Sequence, residues 1–139
     1  IDREGRLLSG ENVSQAISSI RTETHDAVNQ FGLNCCPVEG IEPALRRTDG
    51  VQCTALYPNA SSHPQKELQG RARKGEVIGV RDPIGVASYL HYLAQTYRVK
   101  IIGGCCGFGF ADVGEIARAV REGRSQRELP LSDFRQGAK

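Results

Sequence analysis

The feature that most constrains this chain is the alternation of helical and strand-like hydrophobic patterns along it. Residues 11–20 place Val13, Ala16, Ile17 and Ile20 at helical spacing. The run Phe31-Gly32-Leu33-Asn34-Cys35-Cys36 then stops at Pro37, which predicts a strand ending near Cys35. A short helical pattern occupies about residues 41–47, and Val51-Gln52-Cys53-Thr54-Ala55-Leu56-Tyr57 is a second β-prone run halted by Pro58-Asn59. After a long polar connection over residues 60–80, Asp82-Pro83 reads as an N-cap with proline at the first helical position, opening a helix to about Tyr97. Residues 99–102 form a short apolar strand, and Val113, Ile116, Ala117 and Val120 mark one face of a last helix. Helices alternating with strands in this way predict an α/β fold with parallel strands.

Three parallel strands need cover on both faces and both edges. The expectation is therefore a single domain over residues 1–139 that belongs with a further segment, in keeping with a chain that begins at Ile1 and contains no Met. A formal net charge of +2 gives no electrostatic reason for a nucleic-acid or membrane partner. No stretch approaches the roughly 18 apolar residues of a spanning helix, and no secretory leader is visible. The basic clusters at residues 71–74 and 118–127 are interspersed with glutamates and read as solvated faces.

The chemistry lies in the cysteines. There are five, an odd count containing the vicinal pairs Cys35-Cys36 and Cys105-Cys106, which suits a disulfide framework poorly and points to a reducing, cytoplasmic setting. Adjacent residues of a regular strand point to opposite faces. For both sulfurs of Gly103-Gly104-Cys105-Cys106-Gly107 to reach one point the backbone must leave strand geometry, which flanking glycines permit. A soft metal ion is the natural common target. Cys35 and the Cys105-Cys106 pair both follow strands, where reactive groups gather in parallel α/β folds. Three thiolates with a fourth position left for water or substrate is the pattern of a catalytic zinc site.

Gly32-Leu33-Asn34-Cys35 together with Ile102-Gly103-Gly104-Cys105-Cys106-Gly107 resembles the paired signature of the zinc-dependent homocysteine S-methyltransferases, and Tyr57-Pro58-Asn59-Ala60 is similar to a segment many members carry between them. The resemblance runs from about Ser9 to Val120. It implies the C-terminal part of a (β/α)8 TIM barrel, strands about five to eight, with Cys35, Cys105 and Cys106 as the Zn2+ ligands. It also implies transfer of a methyl group from a small-molecule donor to the thiol of homocysteine, giving methionine, with the thiol activated by zinc. The donor, whether S-methylmethionine, S-adenosylmethionine, betaine or a methylfolate, is not written in these residues. The acidic residues that would hold the substrate ammonium group are expected upstream, so this chain alone is expected to be inactive.

Several other residues weigh into the site. Asn34 and Asn59 are the substrate-binding candidates; the alternative for Asn34 is closing the strand end by hydrogen bonding, and for Asn59 a turn-forming role. Cys36 and Cys53 read as packing thiols. His25 and His63 are expected in solvent and His91 on a surface or half-buried helical face. The glycines around residue 107 lack the G-x-G-x-x-G spacing of a dinucleotide loop. Two other classes compete with the transferase: a noncatalytic zinc-stabilised α/β module or barrel relic, and a thiol-redox protein, which the absence of a C-x-x-C spacing disfavours.

Overall fold

A computed structural model describes residues 1–48, 53–60 and 82–129. The long polar connection, with His63 and the basic cluster at residues 71–74, lies outside the described residues, as does the predicted start of the second strand at Val51. The elements run α1 (Val13–Glu23), β1 (Phe31–Asn34), α2 (Val38–Arg46), β2 (Cys53–Tyr57), α3 (Pro83–Thr96), β3 (Ile101–Ile102) and α4 (Phe110–Glu122). All three strands are parallel and lie in the order β1-β2-β3. The expected α/β alternation is therefore present, with β2 between the two strands that precede the cysteines.

Local chemistry accounts for the helix ends. The side chain of Asn12 accepts the Gln15 N–H at 2.9 Å and that of Asp82 accepts the Gly85 N–H at 2.9 Å, each satisfying a donor the first turn leaves open. Pro83 follows Asp82 as the first residue of α3, where its missing N–H is harmless. The α4 helix starts with the Asp112 carboxylate accepting the Gly109 N–H at 2.7 Å and stops at Gly123, whose φ of 68° is left-handed. Helix α2 begins at Val38, directly after Pro37 and three residues before the sequence pattern placed it.

The sheet has two unlike faces. Leu33 and Leu56 stand in register and are buried against the helices, with the core continuing through Val38, Ile41, Val86, Leu90 and Leu93. On the opposite face Gly32 pairs with Ala55, Ala55 with Ile101 and Asn34 with Tyr57. This face is open: Gly32 and Asn34 are exposed, Ile101 is 49% exposed, and the surface borders a cavity of about 460 Å³.

The last helix departs from its sequence pattern. Val113, Ala117 and Val120 were expected in the core with Ile116, yet only Ile116 and Ala119 are buried, while Val113 and Val120 are 43% and 47% exposed. Helix α4 meets its neighbour α3 along a narrow seam, and among the described residues nothing covers its other flank. His91 departs in the opposite sense: it is buried, and its Nδ1 donates to the Arg124 carbonyl at 2.8 Å. Helix α3 is enclosed along most of its length, from Gly85 to His91 and again at Leu93, which leaves it little exposed face. The basic cluster that begins within α4 behaves as expected, with Arg118 and Arg124 paired to Glu115 and Arg124 also to Glu122.

Leu56 is fully buried at the centre of β2. Leu56→Ala is expected to destabilise the protein by about 2–5 kcal/mol, measured by urea denaturation, with little change in the unfolding slope.

Candidate metal centre

Neighbouring strands are separated by about 4.8 Å, so the ends of β1 and β3, with β2 between them, lie about 10 Å apart. That is more than two cysteine side chains can span if the chain simply runs on. The sulfurs nevertheless converge. Cys35 Sγ lies 3.3 Å from Cys106 Sγ, Cys105 Sγ lies 3.9 Å from Cys106 Sγ, and the three Sγ atoms all fall within 4.8 Å of one another.

Backbone geometry brings them together. Cys35 itself has a φ of 51°, in the left-handed region that a side chain with a Cβ seldom adopts, so the chain turns sharply at the end of β1. Segment 57–60, which follows β2, bonds to both cysteine-bearing turns. On one side the Cys35 N–H donates to the Tyr57 carbonyl at 2.8 Å and the Asn59 N–H to the Cys36 carbonyl at 2.9 Å. On the other, the Cys105 N–H donates to the Pro58 carbonyl at 2.7 Å and the Ala60 N–H to the Cys106 carbonyl at 2.8 Å. Parallel pairing thus continues past the strands as a strap that draws both turns over β2.

The glycines serve this arrangement differently from the sequence expectation. Only Gly107, with φ 83°, needs the conformational freedom of glycine. Gly103 and Gly104 instead make room for aromatic rings. A Cβ at Gly103 would stand 2.9 Å from Tyr57 Cε1, and one at Gly104 would collide with the Phe108 ring and its Cβ. Because a Cβ cannot swing away as a ring can, Gly104→Ala is expected to displace the turn. If the cluster holds a metal ion, the expected result is at least a tenfold loss of affinity for it, read by competition with a chelator.

The thiols differ in environment. Cys106 is exposed, Cys105 half-buried and Cys35 only 7% exposed. Burial, followed by hydrogen bonding to Cys106 and Cys105, pushes the Cys35 thiol up to about 12. Cys36, beside it in sequence, is fully enclosed in the core, and burial pushes its thiol up to about 11. Cys53 is also buried and raised by burial. These two are separate from the sulfur cluster and pack as small apolar residues.

The donor set suits a soft cation. In a tetrahedral zinc centre with Zn–S of about 2.3 Å, sulfurs stand about 3.8 Å apart, a value that falls between the two sulfur separations seen here. Among the described residues, no fourth His, Cys, Asp or Glu joins the three cysteines. His91 is turned to the Arg124 carbonyl and His25 is exposed. Asn34 lies exposed on the open face next to Cys35, whereas Asn59 is fully buried in the strap. Sequence reasoning singled out Tyr57-Pro58-Asn59-Ala60 as a segment but not its role as a strap, and it found neither the left-handed Cys35 nor the use of the two rings.

A parallel α/β unit that gathers three thiols at the C-terminal ends of two strands offers a donor set that could hold a soft metal ion. Residues 1–120 match the sequence profile of the homocysteine S-methyltransferase family. The chain belongs to that family. No solved structure matches it.

The folded state retains the Cys36 proton to about 11, whereas an unfolded thiol gives it up near about 8.5. Stability of the metal-free protein is therefore expected to be level below about pH 8 and to fall between there and pH 11, with this thiol contributing on the order of 3 kcal/mol. Urea titrations in the presence of a chelator should show a shallower alkaline fall for Cys36→Ala.

Proposed function

We propose that Cys35, Cys105 and Cys106 hold a zinc ion and that this site activates homocysteine for methylation to methionine. The observation that carries the reading is the convergence of three Sγ atoms within 4.8 Å in a chain of the homocysteine S-methyltransferase family. In the same reading the three parallel strands are the C-terminal portion of a (β/α)8 barrel, with the open sheet face turned to its interior. The site would take homocysteine and a small-molecule methyl donor.

Zinc bound there would ligate the substrate thiol and lower its pKa, so that a thiolate is present at neutral pH. The remaining work belongs to the chain. Cys106, exposed, and Cys105, half-buried, give the site a solvent-facing side from which the thiol can enter. Cys35, buried against the strap, closes the opposite side to water. Asn34 presents its amide on the open face beside Cys35 and orients the substrate, while enclosed Asn59 acts on it through the strap it anchors. The substrate sulfur forms the new S–CH3 bond as the donor's bond to that methyl breaks, and the thiol proton has already passed to solvent. No basic side chain is required.

The protein prepared under reducing conditions is expected to bind one zinc per chain by elemental analysis. Cys35→Ser, Cys105→Ser and Cys106→Ser should each lower bound zinc and methyl transfer by at least tenfold, whereas Cys36→Ala should leave both nearly intact. Stoichiometric zinc in any of the three serine variants would remove that residue from the site. A sulfur ligand added to the metal when homocysteine is supplied, seen by X-ray absorption, is the expected mark of a catalytic rather than a structural centre.

A further inference from the structure

Backbone hydrogen bonds join the strap to both cysteine-bearing turns, and a ring also joins it to the Cys105-Cys106 turn. Tyr57 is where the two kinds of contact meet. Its carbonyl accepts the Cys35 N–H at 2.8 Å, and its ring lies against Gly103, where a Cβ would stand 2.9 Å from Cε1 and 3.0 Å from Cδ1. Gly103 in turn is tied to β2 by its N–H, 3.0 Å from the Leu56 carbonyl. One residue thus touches both cysteine-bearing turns, on the open face of the sheet at the end of β2.

We propose that the Tyr57 ring is a positioning residue: a spacer wedged beneath Gly103 that sets the distance between Cys35 and the Cys105-Cys106 pair, and so the aperture of the metal site. This rests on the metal reading of the cysteines and adds to it a residue that is no ligand. The ring sits where it does because position 103 carries no side chain. A hydrogen bond between backbones fixes a distance along the bond but leaves the loop free to tilt about it. The flat ring resists that tilt because it already stands in contact with Gly103, so a loop tilting toward β2 meets it at once. The hydroxyl has no part in the spacing, so phenylalanine should serve equally well.

The test uses the cobalt(II)-loaded protein, whose thiolate-to-metal absorption reports ligand number and geometry, with a metal-free measurement beside it. Tyr57→Phe is expected to match the parent. Tyr57→Ala is expected to bind cobalt at least tenfold more weakly and with an altered spectrum. Gly103→Ala, which pushes the ring from the other side, should do the same, and the Tyr57→Ala/Gly103→Ala double variant should recover part of the loss. A spectrum and affinity unchanged in Tyr57→Ala, with only the melting temperature lowered, would overturn the proposal, as would failure of Tyr57→Phe to match the parent. The metal-free arm uses Cys105→Ser protein treated with diamide, which oxidises thiol pairs to disulfides. Formation of the Cys35–Cys106 disulfide, followed by mass spectrometry, should slow at least fivefold when Tyr57→Ala is added. An unchanged rate would overturn the spacer even if the parent bound cobalt. A slowed rate in a parent that binds no cobalt would support the spacer and refute the metal reading.

Discussion

Everything at the candidate site depends on one mismatch of lengths. Strand spacing sets the ends of β1 and β3 about 10 Å apart, yet their sulfurs stand 3.3 Å apart. The gap is closed by backbone, in four hydrogen bonds that run from segment 57–60 to the residues around Cys35 and Cys105-Cys106. A peptide hydrogen bond contributes only about 1 kcal/mol net, but a buried group left without its partner costs more. Pro58, Asn59 and Ala60 are all buried, so the strap has a strong reason to keep both turns in hand. The unfavourable φ at Cys35 is tolerated because its N–H and the Cys36 carbonyl are both held from the strap.

The same geometry separates five chemically identical side chains into two kinds. Cys36 and Cys53 point into the apolar layer between sheet and helices, where burial keeps their thiols protonated and makes them small hydrophobes. Cys35, Cys105 and Cys106 converge at the strand ends, where polar groups face the mouth of the sheet. Cys35 and Cys36 are adjacent, and a left-handed residue between strand and helix is what sends one to the site and the other to the core. The helices carry none of the three clustered cysteines. They hold the strands in register through Leu33 and Leu56, so a loss of core packing would reach the sulfurs through the strap.

Much of this was legible because it obeys local rules. Period and punctuation located the elements: Asp82-Pro83 opens α3, Pro37 follows the β1 turn, Pro58 ends β2, and the thiols follow β1 and β3. What escaped depends on contacts across the fold. Val113 and Val120 repeat with helical period, which declares an apolar flank but not whether anything covers it. His91 was misplaced because α3 is enclosed by neighbours on several sides, a fact no helical wheel contains. The glycine doublet at 103–104 was read as freedom to turn, whereas its use is space for rings contributed by Tyr57 and Phe108. The conformational exception fell on Cys35, a residue whose type gives no warning of it.

The state of the thiols before any metal arrives bears on how such a site is kept. Burial and contact with its neighbours hold the Cys35 thiol up at about 12, so at neutral pH this sulfur is protonated. The cluster is framed by parts that take no part in its ionisation. Its shape is imposed by the strap, the Tyr57 and Phe108 rings and the core beneath, all of which are uncharged. A metal ion entering it would displace protons rather than gather a scattered chain, and binding would be steeply favoured by rising pH. This contrasts with small zinc domains, where ligation supplies the folding energy itself. Here hydrogen bonds and packing order the turns, so in the proposed reading the affinity of the thiols would be left for the metal and an open position for a substrate sulfur.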